Sequence, residues 1–207
     1  MSQIFRIHPE NPQVRLIKQA AEIIRKGGVA VYPTDAAYAI GCAMGNKSAL
    51  DRIIQIRLLD SKHNFTMLCR DLSELATYAR VDNVAYRLLK NNTPGPYTFI
   101  LRATADVPRR LMHPKRKSIG LRVPDNVIAL ALLEELNEPM MTATLQMPGD
   151  EYPMVDPEEI LQLMGKQVDL VMDGGWGDME CTTVIDMTDD LPELIRAGKG
   201  DSSPFIM

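Results

Sequence analysis

The side chains in this sequence that could do chemistry are hydroxyls and guanidinium groups: Thr34, Ser118, Arg122, Thr142, Thr144, Thr182, Thr183 and Arg196. They stand at the ends of apolar runs or just after glycine and proline breaks. Such groups donate hydrogen bonds to carboxylates and phosphates, arginine through a planar fork. A site built from them works by positioning and electrostatics rather than through a protein nucleophile. Any one of the threonines is better explained by strand propensity; the signal is their recurrence. Other chemistries find little support. There is no G-x-x-x-x-G-K-[ST] loop, no G-x-G-x-x-G opening a helix and no G-x-S-x-G elbow. His8, His63 and His113 are too scattered to predict a metal centre or a triad.

Strands must carry these groups, and the stretch at 29–41, V-A-V-Y-P-T-D-A-A-Y-A-I-G, is the centre of the chain. Val29 to Tyr32 reads as a buried strand after the Gly27-Gly28 break, and Pro33 ends its ladder. Thr34 and Asp35 are thereby delivered to a strand exit, where open α/β sheets bind ligands. The alternative there is an Asx-type turn closed by Asp35 on its own backbone.

Around that centre, residues 4–7 predict a strand. Asn11-Pro12 predicts a helix start with Asn11 as cap, and Gly27 its end. Asn46 or Ser48 caps a second helix with Leu50, Ile53, Ile54 and Leu58 inward. Asp71, Asp82, Asn126 and Asp156 open further helices. In the helix after Asn126, Ile128, Ala129, Leu132, Leu133 and Leu136 face inward. Strands are expected at 65–69, 97–102, 118–123, 139–145, 168–172, 182–187 and 191–195. Strands alternating with helices, then hairpin-like strands, predict an α/β fold: a twisted mixed sheet with flanking helices, one domain over 1–207.

Composition bounds the rest. The chain is 45% hydrophobic and 24% charged, ordinary for a globular protein. No apolar run is long enough to span a membrane, and residues 1–9 lack the apolar core of a signal peptide. Cys42, Cys69 and Cys181 are far apart and odd in number, which points to a reducing cytoplasm and free thiols. The net charge of −4 divides into +11 over residues 1–122 and −15 over 123–207. The basic excess peaks at Arg102, Arg109, Arg110, Lys115, Arg116, Lys117 and Arg122. That asymmetry suggests an anionic ligand such as a nucleotide or nucleic acid, unless the two halves pair their charges in one fold.

Taken in order, several landmarks resemble the YrdC/YciO family, best known for threonylcarbamoyl-AMP synthases. They are Gly27-Gly28-Val29, Tyr32-Pro33-Thr34-Asp35 with Tyr38 and Gly41, and Pro94-Gly95-Pro96-Tyr97-Thr98. There follow Ile119-Gly120-Leu121-Arg122-Val123-Pro124-Asp125, Pro139-Met140-Met141, Thr182-Thr183-Val184-Ile185-Asp186 and Ile195-Arg196-Ala197-Gly198. The opening residues and the H-N-F-T segment are most similar to the YciO branch.

The resemblance implies a sheet around a large, open, basic cavity. It implies condensation of L-threonine, bicarbonate and ATP, with Mg²⁺, to threonylcarbamoyl-AMP, which feeds threonylcarbamoyl modification of tRNA. By position, Thr34, Arg122, Thr142 and Thr182 would hold L-threonine. Arg57, Lys62, Asn64, Ser118, Thr144 and Arg196 would hold the nucleotide. It further implies double-stranded RNA or tRNA binding, for which Arg109, Arg110, Lys115, Arg116 and Lys117 are the candidates. On this reading Arg122→Ala weakens the amino-acid site and leaves the fold largely intact.

Two departures from the synthase pattern stand out. Gln55-Ile56-Arg57 replaces Lys-x-Arg, which removes a cation. Thr144-Leu145-Gln146 replaces Ser-Ala-Asn. A missing cation opposite a triphosphate costs on the order of 1–3 kcal/mol of binding. The alternative function is therefore an RNA-binding paralogue with weak or no synthase activity.

Overall fold

A computed structural model describes residues 2–60, 63 and 65–206. In chain order its elements are β1 (Gln3–Arg6), α1 (Val14–Arg25), β2 (Ala30–Tyr32), β3 (Ala39–Ala43), α2 (Lys47–Arg57), β4 (Thr66–Leu68), α3 (Leu72–Tyr78) and α4 (Asn83–Asn92). Then come β5 (Tyr97–Arg102), β6 (Ser118–Arg122), α5 (Val127–Leu136), β7 (Met140–Thr144), α6 (Pro157–Met164), β8 (Leu170–Asp173), β9 (Thr183–Asp186) and β10 (Glu193–Arg196). The fold is α/β, as expected: one mixed ten-stranded sheet in the order β1-β8-β2-β3-β7-β4-β6-β5-β9-β10.

The two faces of the sheet are treated differently, and that difference makes the site. Side chains alternate across a strand. On one face Val31, Ile40, Met67, Phe99, Leu101, Ile119, Leu121, Met141 and Ile185 form the main core, covered by Leu50 and Ile53 of α2, Leu75 of α3, Leu89 of α4 and Ile160 of α6. On the other face only part is covered. There α1 (Ile17, Ala20, Ala21, Ile24) and α5 (Ile128, Leu132, Leu133, Leu136) pack on Ala30, Tyr32, Ala39, Leu68, Met140, Leu170 and Met172. The strands beyond α1 and α5 turn threonine, serine, glycine and arginine to that uncovered face, notably β5, β6 and the ends of β4, β7 and β9.

Three elements differ from expectation. β3 was not anticipated: it pairs antiparallel with both β2 and β7 and is buried on both faces, so A-I-G-C-A shows no alternation. α1 begins at Val14, behind Gln13, and not at Asn11-Pro12. Its approach is closed locally, because the His8 backbone N–H donates to Gln13 Oε1 (3.1 Å) and His8 Nδ1 accepts from Glu10 N and Asn11 N. In α2 the buried positions are Ala49, Leu50, Ile53 and Ile56, whereas Leu58 takes a left-handed C-cap conformation (φ 48°) and points to solvent. Asn46, not Ser48, is the cap, accepting from Ala49 N at 2.9 Å.

The charge asymmetry is partly neutralised by the fold. Arg52–Asp169 (2.7 Å), Arg116–Asp186 (3.0 Å) and Arg102–Asp189 (3.3 Å) pair the basic half with the acidic half. No helix among the described residues is long and apolar enough to cross a membrane.

Candidate functional site

The uncovered face forms two adjoining hollows, both lined by Thr66, Thr98, Thr142, Thr144 and Thr182. Register brings the threonines together: Thr66 lies opposite Thr142 and Gly120, and Thr98 opposite Val184.

Three of these hydroxyls, those of Thr142, Thr98 and Thr182, are held by specific neighbours. Tyr32 Oη donates to Thr142 Oγ1 at 2.6 Å, so the Thr142 proton is left for another acceptor. Tyr32 reaches Thr142 by passing over Gly41, where an added Cβ would stand 2.8 Å from the Tyr32 hydroxyl and 2.7 Å from Met141 O. Thr98 and Thr182 share a hydrogen bond of 2.9 Å. Arg196 donates through Nη2 to Thr182 Oγ1 (3.2 Å) and through Nε and Nη2 to Thr182 O.

Arg122 lies at the bottom of this arrangement with its side chain only 7% exposed, and Asp35 (9%) is its partner through Nη2 and Oδ1. Arg122 Nε and Asp35 Oδ2 are buried without a hydrogen-bond partner. The expectation for Arg122→Ala is thereby corrected. Arg122 lines the hollow and is also half of a buried ion pair, so its loss strikes the fold as well as the site.

The structure thus brings together Arg122, Thr142, Thr144, Thr182 and Arg196 of the expected set. Ser118 shares the Gly120 and Arg122 face of β6; it is buried, and its hydroxyl has no partner, but it is not part of the lining. Thr34 departs from expectation. Its hydroxyl donates to Ala37 O (2.7 Å) and accepts from Ala36 N, closing its own turn, and the residue lines a neighbouring groove with Asp35, Trp176 and Lys199. Arg57 lies outside the lining, although its charge is felt by His63, which lines the second hollow. Burial, then the Arg57 charge, lowers the His63 pKa. Lys62 and Asn64 lie outside the described residues.

Apart from Arg122, the basic stretch does not line these hollows. Arg110 donates to Gly45 O (2.8 Å) and Arg116 to Asp186, while Arg109, Lys115 and Lys117 are exposed. Sequence reasoning missed Thr66, Thr98 and the Asp35–Arg122 pair. No period-two signal marked the first two, because the next residues on the same face, Leu68 and Ile100, are apolar. Gln146, one of the departures noted above, is committed to the 147–155 loop. Its Nε2 donates to Asp150 O (2.9 Å) and Glu151 O (3.2 Å), and its Oε1 accepts from Cys181 Sγ (3.8 Å). No group of three or more His, Cys, Asp or Glu residues able to hold a metal occurs among the described residues.

The three thiols divide by burial. Burial pushes Cys42 up to about 12 and Cys69 well above the ordinary thiol range, whereas Cys181 is half-buried at the hollow. In the folded protein at pH 8, a disulfide reagent is expected to titrate Cys181 alone, and all three thiols only after denaturation. Rapid reaction of two or more native thiols would contradict the burial described.

A family model described as "Telomere recombination" (Sua5_yciO_yrdC) matches residues 22–198. The chain is 61% identical over 206 residues to the uncharacterised protein YciO of Escherichia coli (strain K12), with all of both chains covered. The crystal structure of E. coli YciO matches it with a TM-score of 0.97 over 100% of each chain. It is 28% identical over 159 residues to the threonylcarbamoyl-AMP synthase of Nitrosococcus oceani, which covers 76% of this chain and 85% of that one. The crystal structure of P. abyssi Sua5 complexed with L-threonine matches with a TM-score of 0.87 at 25% identity, over 95% of this chain and 58% of that one.

Proposed function

The chain belongs to the Sua5/YciO/YrdC family, and from that premise we propose that it is an ATP-dependent synthase of the L-threonylcarbamoyladenylate type, a nucleotidyltransferase serving tRNA modification. The observation that carries this reading is the convergence of Thr66, Thr98, Thr142, Thr144, Thr182 and Arg122 on one recess of the sheet. Likeness to a threonylcarbamoyl-AMP synthase and to a Sua5 bound to L-threonine supports it.

On this reading Arg122 and the Thr142 hydroxyl hold the amino acid, and Thr182 sits against its side chain. Thr144, Ser118, Arg196 and Arg57 serve the nucleotide end. Bicarbonate and the neutral amine condense to a carbamate with loss of one water, and a carbamate oxygen attacks the α-phosphate in line and expels pyrophosphate. The protein contributes alignment and hydrogen-bond donors for the developing charge. Mg²⁺ would enter with the ATP phosphates, as part of the substrate.

The test is pyrophosphate release from ATP. It is expected only when L-threonine and bicarbonate are both present, and release indifferent to either, or none, would contradict the reading.

Exposure of Arg109, Lys115 and Lys117 favours a second reading, binding of duplex RNA or tRNA. With Arg110 and Arg116 engaged by the protein itself, few cations of this stretch remain for phosphates. Any such binding is therefore expected to be weak and to fall steeply with salt.

A further inference from the structure

We infer that Asp35 is the ammonium-binding partner of Arg122, so that the junction of the hollow and the groove beside it selects ligands carrying a carboxylate and an ammonium on adjoining atoms. The inference rests on the amino-acid reading above and adds the residue that would set its selectivity.

An arginine and a carboxylate serving only each other meet fork to fork, through two parallel hydrogen bonds. Here they meet through one, Nη2 to Oδ1, with Arg122 Nε and Asp35 Oδ2 buried and unsatisfied. Buried polar atoms without partners are rare in native proteins and call for a reason. The pair also stands where two recesses adjoin: Arg122 lines the threonine-rich hollow, Asp35 the groove beside it, and Ala36 lines both. The Thr34 hydroxyl closes the 34–37 turn and so fixes the backbone from which Asp35 projects.

Charge then decides which ligand fits. In the empty protein Asp35 and Arg122 neutralise one another, and Asp35 has no other ion pair among the described residues. An entering carboxylate without an ammonium competes with Asp35 for the guanidinium and leaves one carboxylate buried and uncompensated, which is costly. A zwitterion supplies both partners at once. Its carboxylate takes Arg122, aided by the free Thr142 proton, and its ammonium takes Asp35. Plain acids are thus excluded by an unpaired charge, not by size.

The experiment is calorimetric titration of the full chain with L-threonine and with (R)-3-hydroxybutyrate, which keeps the carboxylate and the hydroxyl but lacks the ammonium. The wild type is expected to prefer L-threonine more than tenfold. Asp35→Asn, which keeps a hydrogen bond to Arg122, is expected to lose tenfold or more in L-threonine affinity while gaining affinity for 3-hydroxybutyrate. If Asp35→Asn weakens both ligands equally, or changes neither, Asp35 is only a structural anchor and the inference fails while the amino-acid reading stands. A wild type that binds neither ligand overturns both. Should Asp35→Asn fail to give a cooperative melt, the wild-type preference decides alone: equal affinity for the two ligands overturns the inference.

Discussion

Arg122→Ala is expected to destabilise the protein by about 3–5 kcal/mol, the cost of stranding one member of a buried ion pair, and to abolish L-threonine binding. The stranded group is Asp35, whose side chain is 9% exposed and whose Oδ2 already lacks a partner. Removing the guanidinium leaves its carboxylate with no ion-pair partner among the described residues and empties the floor of the hollow. Denaturant unfolding separates these two effects. The double variant Asp35→Ala/Arg122→Ala is expected to recover much of the stability, since no buried charge then remains unpaired. It should recover none of the binding. A loss below about 1 kcal/mol for Arg122→Ala, the size of an exposed pair, would contradict the burial of this pair.

Gly198→Ala is expected to cost about 1–3 kcal/mol by overpacking and to lower ligand affinity by more than tenfold. A Cβ at Gly198 would stand 2.4 Å from Cys181 O and 2.7 Å from both the carbonyl carbon and oxygen of Thr182. All three are backbone atoms, so the chain itself must move. The segment that moves carries Thr182, which binds Thr98 and receives Arg196, and the same turn is tied by Gly198 N to Thr183 Oγ1 at 3.0 Å. One methyl group therefore displaces hydroxyl and guanidinium together. Gly45→Ala is the control, because nothing lies within 4 Å of its added Cβ. If Gly198→Ala binds and melts like Gly45→Ala, the close approach of this turn to Thr182 is not as described.

The fold was legible wherever local chemistry matched global packing. Asn126 caps α5, and the five residues read as its inner face are the five that are buried. Asp71, Asp82 and Asp156 likewise cap α3, α4 and α6. β3 was missed because a strand buried on both faces by small residues carries no period-two signal. The start of α1 was misplaced because Asn-Pro is a generic cap signal, whereas the contacts of His8 and Gln13 that close the preceding turn depend on the folded chain.

Site residues followed the same division. Thr142, Thr144 and Thr182 stood out as hydroxyls at strand ends, and register then brought them together. Thr34, next to the same strand exit, did not join them, because a threonine two residues beyond a strand has an unpaired turn to close, and its hydroxyl does so. The pairing of Asp35 with Arg122 spans 87 residues and follows from sheet order alone, which a single sequence does not contain. The ion pairs of the basic stretch were not legible for a related reason: the partners of Arg116 and Arg102, Asp186 and Asp189, come from the other end of the chain.

The central claim is that hydroxyl and guanidinium groups from separate strands form one ligand site on the uncovered face of the sheet. A crystal structure of the protein soaked with L-threonine and ATP tests it most directly. The account predicts density for the amino acid in the hollow, within hydrogen-bond distance of Arg122 and Thr142, with the nucleotide beyond it toward Thr144 and Arg196. Ligand density seated instead in the groove beside Trp176, or an empty hollow at saturating ligand, would contradict it.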